Sequence, residues 1–294
     1  MIILLILLII AYVLIKLSFI RDDKLEITPA WKEYIDANQS GREYIYSLKY
    51  EDLYVNSFDD LKLHGLFVPN KETNKTIICV HGYKAKDGLY DFGMSAKFLY
   101  STGYNILFAD DRSHGKSQGK YIGFGVLDSK DINSWVDYLI KEYKQKTVIL
   151  YGMSMGAATV LNASALVKDK VKGIVEDCGF ASGYDEVAYQ IKQMYHLPSF
   201  PLVPLANLEL KILAKYSLKE KEAYRSIKEY QGKLLVIHGG NDHFVCTKDA
   251  YKIFDSATCD KDILIIDGAS HAKSYLTNKE EYEKAFLKLL NKVN

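Results

Sequence analysis

Residues 147–156 read Thr-Val-Ile-Leu-Tyr-Gly-Met-Ser-Met-Gly, and no other stretch constrains the chain as strongly. A β-branched apolar run ends in Gly152-x-Ser154-x-Gly156, and the small residues Ala157 and Ala158 follow at once. Strand, sharp turn and helix in that order are the setting of a nucleophile elbow. The glycines leave room where strand and helix backbones approach. The serine then stands above the sheet edge at a helix N-terminus, whose dipole favours developing negative charge. A chance match in a loop is the competing reading; the flanking strand and helix patterns argue against it.

The chain has 294 residues and is 48% hydrophobic, which suits one large α/β domain or a domain with an insert. Its formal charge is +1 and no basic patch is interleaved with aromatics, so no nucleic-acid partner is indicated. Cys79, Cys178, Cys246 and Cys259 show no C-x-x-C spacing, which argues against a zinc site or a disulfide framework.

Residues 2–20 are almost wholly aliphatic, with Lys16 near one end. As a helix they span about 28 Å, near the hydrocarbon thickness of a bilayer. No basic residue precedes the run and no A-x-A follows it, which favours an uncleaved anchor over a signal peptide. A single-pass anchor over 1–21 is therefore expected, with a linker and surface helix over 22–44. Lys16, Arg21 and Lys24 bias the catalytic part towards the cytoplasm, but Asp22 and Asp23 blur the count and leave the side open. Deleting 1–21 is expected to leave a soluble, active protein.

From residue 45 onwards, 45–56 and 61–68 read as an antiparallel hairpin. Strand runs then alternate with helical patterns. The strands fall at 76–80, 105–109, 147–151, 173–176, 233–237 and 262–266. The helices fall at 92–102, 129–144, 155–167, 248–257 and 279–292. That rhythm predicts a mostly parallel sheet covered on both faces. Residues 181–231, with Pro198, Pro201 and Pro204, interrupt it and read as an inserted cap.

Ser154 needs a base, and the base needs a carboxylate to fix its tautomer. Of seven histidines, His271 sits in a short loop after the strand 262–266, on the same sheet edge as Ser154. His64 lies too early in the chain. His81, His114 and His238 read as local hydrogen-bonding residues, His196 as surface, and His243 as pointing away from the acid. Asp242 follows the strand 233–237 and completes the order Ser…Asp…His; Asp267 is a weaker rival. Backbone N–H groups of Met155 and Tyr83 are the expected oxyanion donors. Tyr83 and Phe200 are candidate substrate contacts. In one reading Phe200 and its neighbours overhang Ser154 and select longer acyl chains; in the other they pack on the sheet edge.

The blocks Cys79-Val80-His81-Gly82-Tyr83, Asp110-Asp111-Arg112-Ser113-His114-Gly115, Gly152-Met153-Ser154-Met155-Gly156, His238-Gly239-Gly240-Asn241-Asp242 and Gly268-Ala269-Ser270-His271 together resemble the α/β-hydrolase superfamily. The block Glu176-Asp177-Cys178-Gly179-Phe180 and the apolar N-terminus look like the membrane-bound, cell-surface type hydrolases of Gram-positive bacteria, similar to serine esterases and serine aminopeptidase-type proteins. The resemblance implies an eight-stranded, mostly parallel sheet over 45–294, with helices on both faces and a small helical cap at 181–231. It implies a serine hydrolase acting on a small-molecule or lipid ester, with no metal or organic cofactor. A peptidase or thioesterase would use the same residues. A non-catalytic binding module of the same fold is the alternative from another class.

Overall fold

Successive residues of the central strands bury opposite faces, so the sheet is covered on both sides. The computed structural model describes residues 2–21 and 29–293. In chain order its elements are α1 (Ile2–Phe19), α2 (Pro29–Ser47), β1 (Glu51–Asn56), β2 (Lys62–Val68), β3 (Lys75–Val80), α3 (Gly93–Ser101), β4 (Asn105–Ala109) and α4 (Asp128–Lys141). Then follow β5 (Thr147–Met153), α5 (Met155–Val167), β6 (Val171–Asp177), α6 (Gly183–Tyr195), α7 (Ser199–Leu213) and α8 (Ala223–Ser226), which runs into a 3-10 turn. The chain ends with β7 (Lys233–Gly239), α9 (Lys248–Ser256), β8 (Asp260–Ile266), α10 (Ser274–Thr277) and α11 (Lys279–Val293).

The eight strands form one sheet in the order β1-β2-β4-β3-β5-β6-β7-β8. β1 pairs antiparallel with β2, and β2 with β4; the remaining pairs are parallel. Val148 and Leu150 face a core shared with Trp135 of α4, Leu161 of α5 and Ile253 of α9. Ile149 and Tyr151, one residue out of step, face a second core with Phe92, Leu99 of α3 and Phe286 of α11. Period-two alternation within one strand thus feeds two cores.

The strand order reverses direction between β3 and β5, and such a switch opens a crevice at the carboxyl edge of the sheet. The loops after β3, β5, β7 and β8 all leave from that edge.

Two sequence expectations change. The hairpin begins at Glu51, not at residue 45, because α2 continues to Ser47 and buries Ile45 completely. α2 is a surface helix with one face packed on the body: Tyr34 and Asn38 are buried, and a Cβ on Gly41 would strike the carbonyl of Gly93 in α3. Residues 22–28 of the expected linker lie outside the described part.

The expected free anchor is the second correction. No helix among the described residues is long and apolar enough to cross a membrane. α1 packs against the body: Ala11, Ile15 and Phe19 enter a cluster with Phe124, Met155, Ala206 and Leu210, and Leu14 joins Ile191, Leu202 and Val203. Its end is tied in by a bridge from Ile20 to Tyr121 and by Arg21, whose guanidinium donates to the carbonyls of Gly115 and Ser117. The physical reason is shared: an aliphatic face gains free energy wherever it leaves water, and α6 and α7 offer such a surface.

Candidate active site

β5 ends at Met153 and α5 begins at Met155, so a single residue, Ser154, turns the chain. Its backbone lies at φ 55°, ψ −114°, outside the ordinary regions for an L-residue. Two contacts hold it there. The Ser154 N–H donates to the carbonyl of Asp177 at 2.8 Å, and its own carbonyl accepts from Ala158 N–H at 3.1 Å. A Cβ on Gly156 would collide with the carbonyl of Val80, and one on Gly152 with the Gly156 carbonyl. Both glycines are therefore required by close backbone approach.

The Ser154 hydroxyl lies 2.9 Å from His271 Nε2, and His271 Nδ1 lies 2.7 Å from Asp242 Oδ2. The three residues expected from their order in the chain stand in one hydrogen-bonded line, and all three are buried. With the carboxylate accepting from Nδ1–H, Nε2 is left free to accept the serine proton. Asp242 is held from several sides: Oδ1 accepts the N–H groups of Phe244 and Val245, at 2.9 and 3.0 Å. Burial alone raises its pKa, but hydrogen bonds from His238 and His271 outweigh that and keep the carboxyl well below the usual range. Asp267 is exposed and makes no bond to His271, so the rival acid falls away.

The loop after β3 lies directly over the serine. A Cβ on Gly82 would sit 3.4 Å from the Ser154 Cβ, and Gly82 N–H donates to Asp91 Oδ2 at 2.7 Å. Tyr83 follows Gly82, and Met155 opens α5, where N–H groups have no intrahelical acceptor.

Among the described residues one group has metal-ligand spacing, Cys178, Asp242 and His271, with donor atoms within 4.8 Å of one another. Its chemistry fits a triad better than an ion. Asp242 and His271 already bond each other, and burial pushes the Cys178 thiol up, away from the thiolate that binds metals.

The profile of the family described as serine aminopeptidase, S33 matches residues 71–195. The Bacillus subtilis (strain 168) protein YqkD is 30% identical over 234 residues, covering 79% of this chain and 76% of its own length. The chain belongs to the α/β-hydrolase superfamily. Protein R595 of Acanthamoeba polyphaga mimivirus is 24% identical, with 80% of both chains covered. Among solved structures, the Pyrococcus furiosus esterase Pf2001 superposes with a TM-score of 0.69 at 22% identity, over 93% of this chain and 98% of that one. Acetyl xylan esterase 1 from Thermoanaerobacterium gives 0.64 at 14% identity, over 90% and 94%. These two likenesses concern the fold.

Several residues of this α/β-hydrolase site escape a reading of the sequence. His238 makes the local hydrogen bond expected of it, from Nε2 to the Val245 carbonyl at 3.0 Å, but the same nitrogen also lies 3.4 Å from Asp242 Oδ2. Its position four residues before Asp242 was the available signal. The Phe244 ring covers His271 at 4.9 Å, and Trp31 of α2 approaches the same imidazole edge-on at 6.5 Å. Trp31 is 240 positions from His271 in the chain, so nothing local could reveal it.

Phe200 is 77% exposed at the start of α7, so its side chain is not packed on the sheet edge. Phe124, Phe180 and Phe19 gather in the cluster that holds Met155, the residue after Ser154. Phe124 stacks on Phe180 at 5.0 Å and meets Phe19 at 5.3 Å and Tyr83 at 5.9 Å, in the cluster that also holds Met155. The stretch 181–231 comprises α6, α7, α8 and the 3-10 turn, and α7 places Ala206 and Leu210 in that cluster.

Proposed function

We propose that this α/β-hydrolase cleaves carboxylic esters through an acyl-enzyme formed on Ser154. The carrying observation is the line from Ser154 Oγ through His271 to Asp242, with spacings of 2.9 and 2.7 Å. Ser154 Oγ attacks the ester carbonyl carbon while His271 Nε2 takes its proton. The tetrahedral oxyanion is met by the N–H groups of Tyr83 and Met155. The imidazolium then gives its proton to the departing alkoxide oxygen. A water molecule repeats the sequence on the acyl-enzyme, releasing the acid and restoring the serine. Asp242 stays ionised throughout and steadies the imidazolium.

The apolar cluster of Phe19, Phe124, Phe180 and Tyr83 beside Met155 supports an apolar acyl group as the part of the substrate held here. The family description supports a second reading, a serine peptidase using the same triad. A fluorophosphonate probe tests the mechanism: it should label the wild type and spare Ser154→Ala. A panel of p-nitrophenyl esters, thioesters and aminoacyl anilides tests the substrate class. Labelling with no ester turnover but rapid anilide cleavage would replace the esterase reading by the peptidase one. No labelling would remove the catalytic reading altogether.

A further inference from the structure

α1 is apolar around its whole circumference, yet the body covers only one side of it. Ala11, Leu14, Ile15 and Phe19 are buried, while Ile3 is 76% and Ile9 54% exposed, with Ile6 and Val13 beside them. A helix that is hydrophobic all round calls for an apolar surround on every face. α7, packed against α1, repeats the situation: Leu202, Val203, Ala206 and Leu210 are buried, and Phe200, Leu208 and Ile212 are exposed. Exposed aliphatic side chains on two helices packed together are more than the scattered surface leucines of an ordinary protein.

The composition of this face selects its occupant. From Ile2 to Leu14 α1 offers no charged side chain and Tyr12 alone as a polar one. A protein partner's site would carry a polar rim and hydrogen-bonding groups along that length. The charged side chains on the two helices are Lys16, Glu209 and Lys211, a net positive set. Lys16, Lys211 and Lys215 are exposed and make no ion pair with a described residue; Glu209, half-buried, is the one carboxylate on the two helices. Aliphatic side chains accompanied by unpaired lysines suit acyl chains beneath anionic headgroups.

We propose that the outer faces of α1 and α7 seat this α/β-hydrolase on an anionic lipid bilayer, with both helices lying along the interface. The seat adjoins the reaction site. Tyr83 O–H donates to the Ser18 carbonyl at 2.6 Å and Lys84 Nζ to the Leu17 carbonyl at 2.7 Å, so the end of α1 is fastened to the loop over Ser154. An ester dissolved in the bilayer would reach the serine from the membrane side.

The full chain, purified in detergent and freed of it, is mixed with phosphatidylcholine vesicles with and without 30% phosphatidylglycerol. Sedimentation should show binding to both, stronger on the anionic vesicles. Ile6→Gln/Ile9→Gln/Val13→Gln should bind at least tenfold more weakly, with turnover of a soluble acetate ester unchanged within twofold. Lys16→Gln/Lys211→Gln/Lys215→Gln should lose the preference for anionic lipid, on the order of fivefold per lysine. Because binding is read by sedimentation, its failure is distinct from failure of the esterase reading. Three results would overturn the proposal. One is a wild type that stays in the supernatant with both vesicle types. Another is a stable dimer in solution that the triple Gln variant dissociates, which makes the face an interface between copies. The third is an N-terminal tag shielded from added protease until the vesicles are lysed, which makes α1 a span.

Discussion

The phenol of Tyr83 donates to the carbonyl of Ser18 at 2.6 Å. One residue thereby belongs to two systems. Its backbone N–H is the proposed oxyanion donor, and its side chain satisfies the C-terminal end of α1, where carbonyls have no helical partner. The first helix and the loop over Ser154 are mechanically joined, although 65 positions separate Ser18 from Tyr83 in the chain.

Tyr83→Phe leaves the Ser18 carbonyl without its donor. A stability loss of about 1–2 kcal/mol is expected, with kcat falling more than KM rises, because the loop is loosened while the acyl wall stays. Thermal melts and steady-state kinetics on a soluble ester check both. Deletion of residues 1–21 goes further. It removes Ile15 and Phe19 from the cluster around Met155, together with the bonds from Arg21. The truncated protein should melt lower and turn over more slowly. The sequence alone suggested a harmless trim, and equal Tm and kcat in the two proteins would restore that view.

Ser154→Ala should abolish ester turnover by several orders of magnitude and leave the melting temperature unchanged within a few degrees. Alanine needs the same unusual φ/ψ as serine and loses one hydrogen bond to His271. Residual activity near the wild type would reassign the nucleophile.

Asp242→Asn should lower kcat by roughly four orders of magnitude. The amide can no longer act as a pure acceptor towards His271 Nδ1, so the imidazole is turned to the wrong tautomer. The N–H groups of Phe244 and Val245 can still be accepted by the remaining oxygen, so the loop should keep its shape. A near-normal kcat would show that another carboxylate orients His271.

His238 gives stability a pH dependence of definite sign. Burial lowers its pKa, but the hydrogen bond to Asp242 and the charge of Glu176 outweigh it, raising the group to about 9. A raised folded pKa means that its stabilisation is complete below the ordinary imidazole value of about 6.5 and is lost as pH rises through about 9. Glu176, raised by burial to about 8, acts in the same direction. Asp242 works at the other end: held down by its partners, it stabilises above the ordinary carboxylate range and loses that effect as pH falls. Tm should fall between about pH 6.5 and 9, and His238→Gln should flatten part of that decline. Identical slopes in both proteins would show that His238 is neutral throughout.

Acyl-chain selection should follow Phe124, whose ring lies in the cluster with Met155, and not Phe200. Phe124→Ala should reduce the butyrate-to-acetate ratio of kcat/KM by roughly tenfold, the worth of about one or two methylenes in a pocket. Phe200→Ala should change it less than twofold. The opposite ranking would return the cap reading to residue 200.

Ser154, Asp242 and His271 were legible because each signal is local. A nucleophile on a strand-to-helix turn needs two glycines at fixed offsets, and the acid and base must follow later strands to reach the same sheet edge. The alternating burial of Val148 and Ile149 was legible for the same reason, since period two is written in consecutive residues. Other features depend on contacts between residues far apart in the chain. Trp31 against His271, Gly41 against Gly93 and Tyr83 against Ser18 have no local pattern. The aliphatic run at 2–19 shows the limit most clearly. Its composition by itself determined that the segment leaves water, because the free energy of burial depends on apolar area alone. Tertiary structure decided that Ala11, Ile15 and Phe19 leave it against α7 and Phe124, because burial has no direction and only the shape of the neighbouring surface selects where the helix lies.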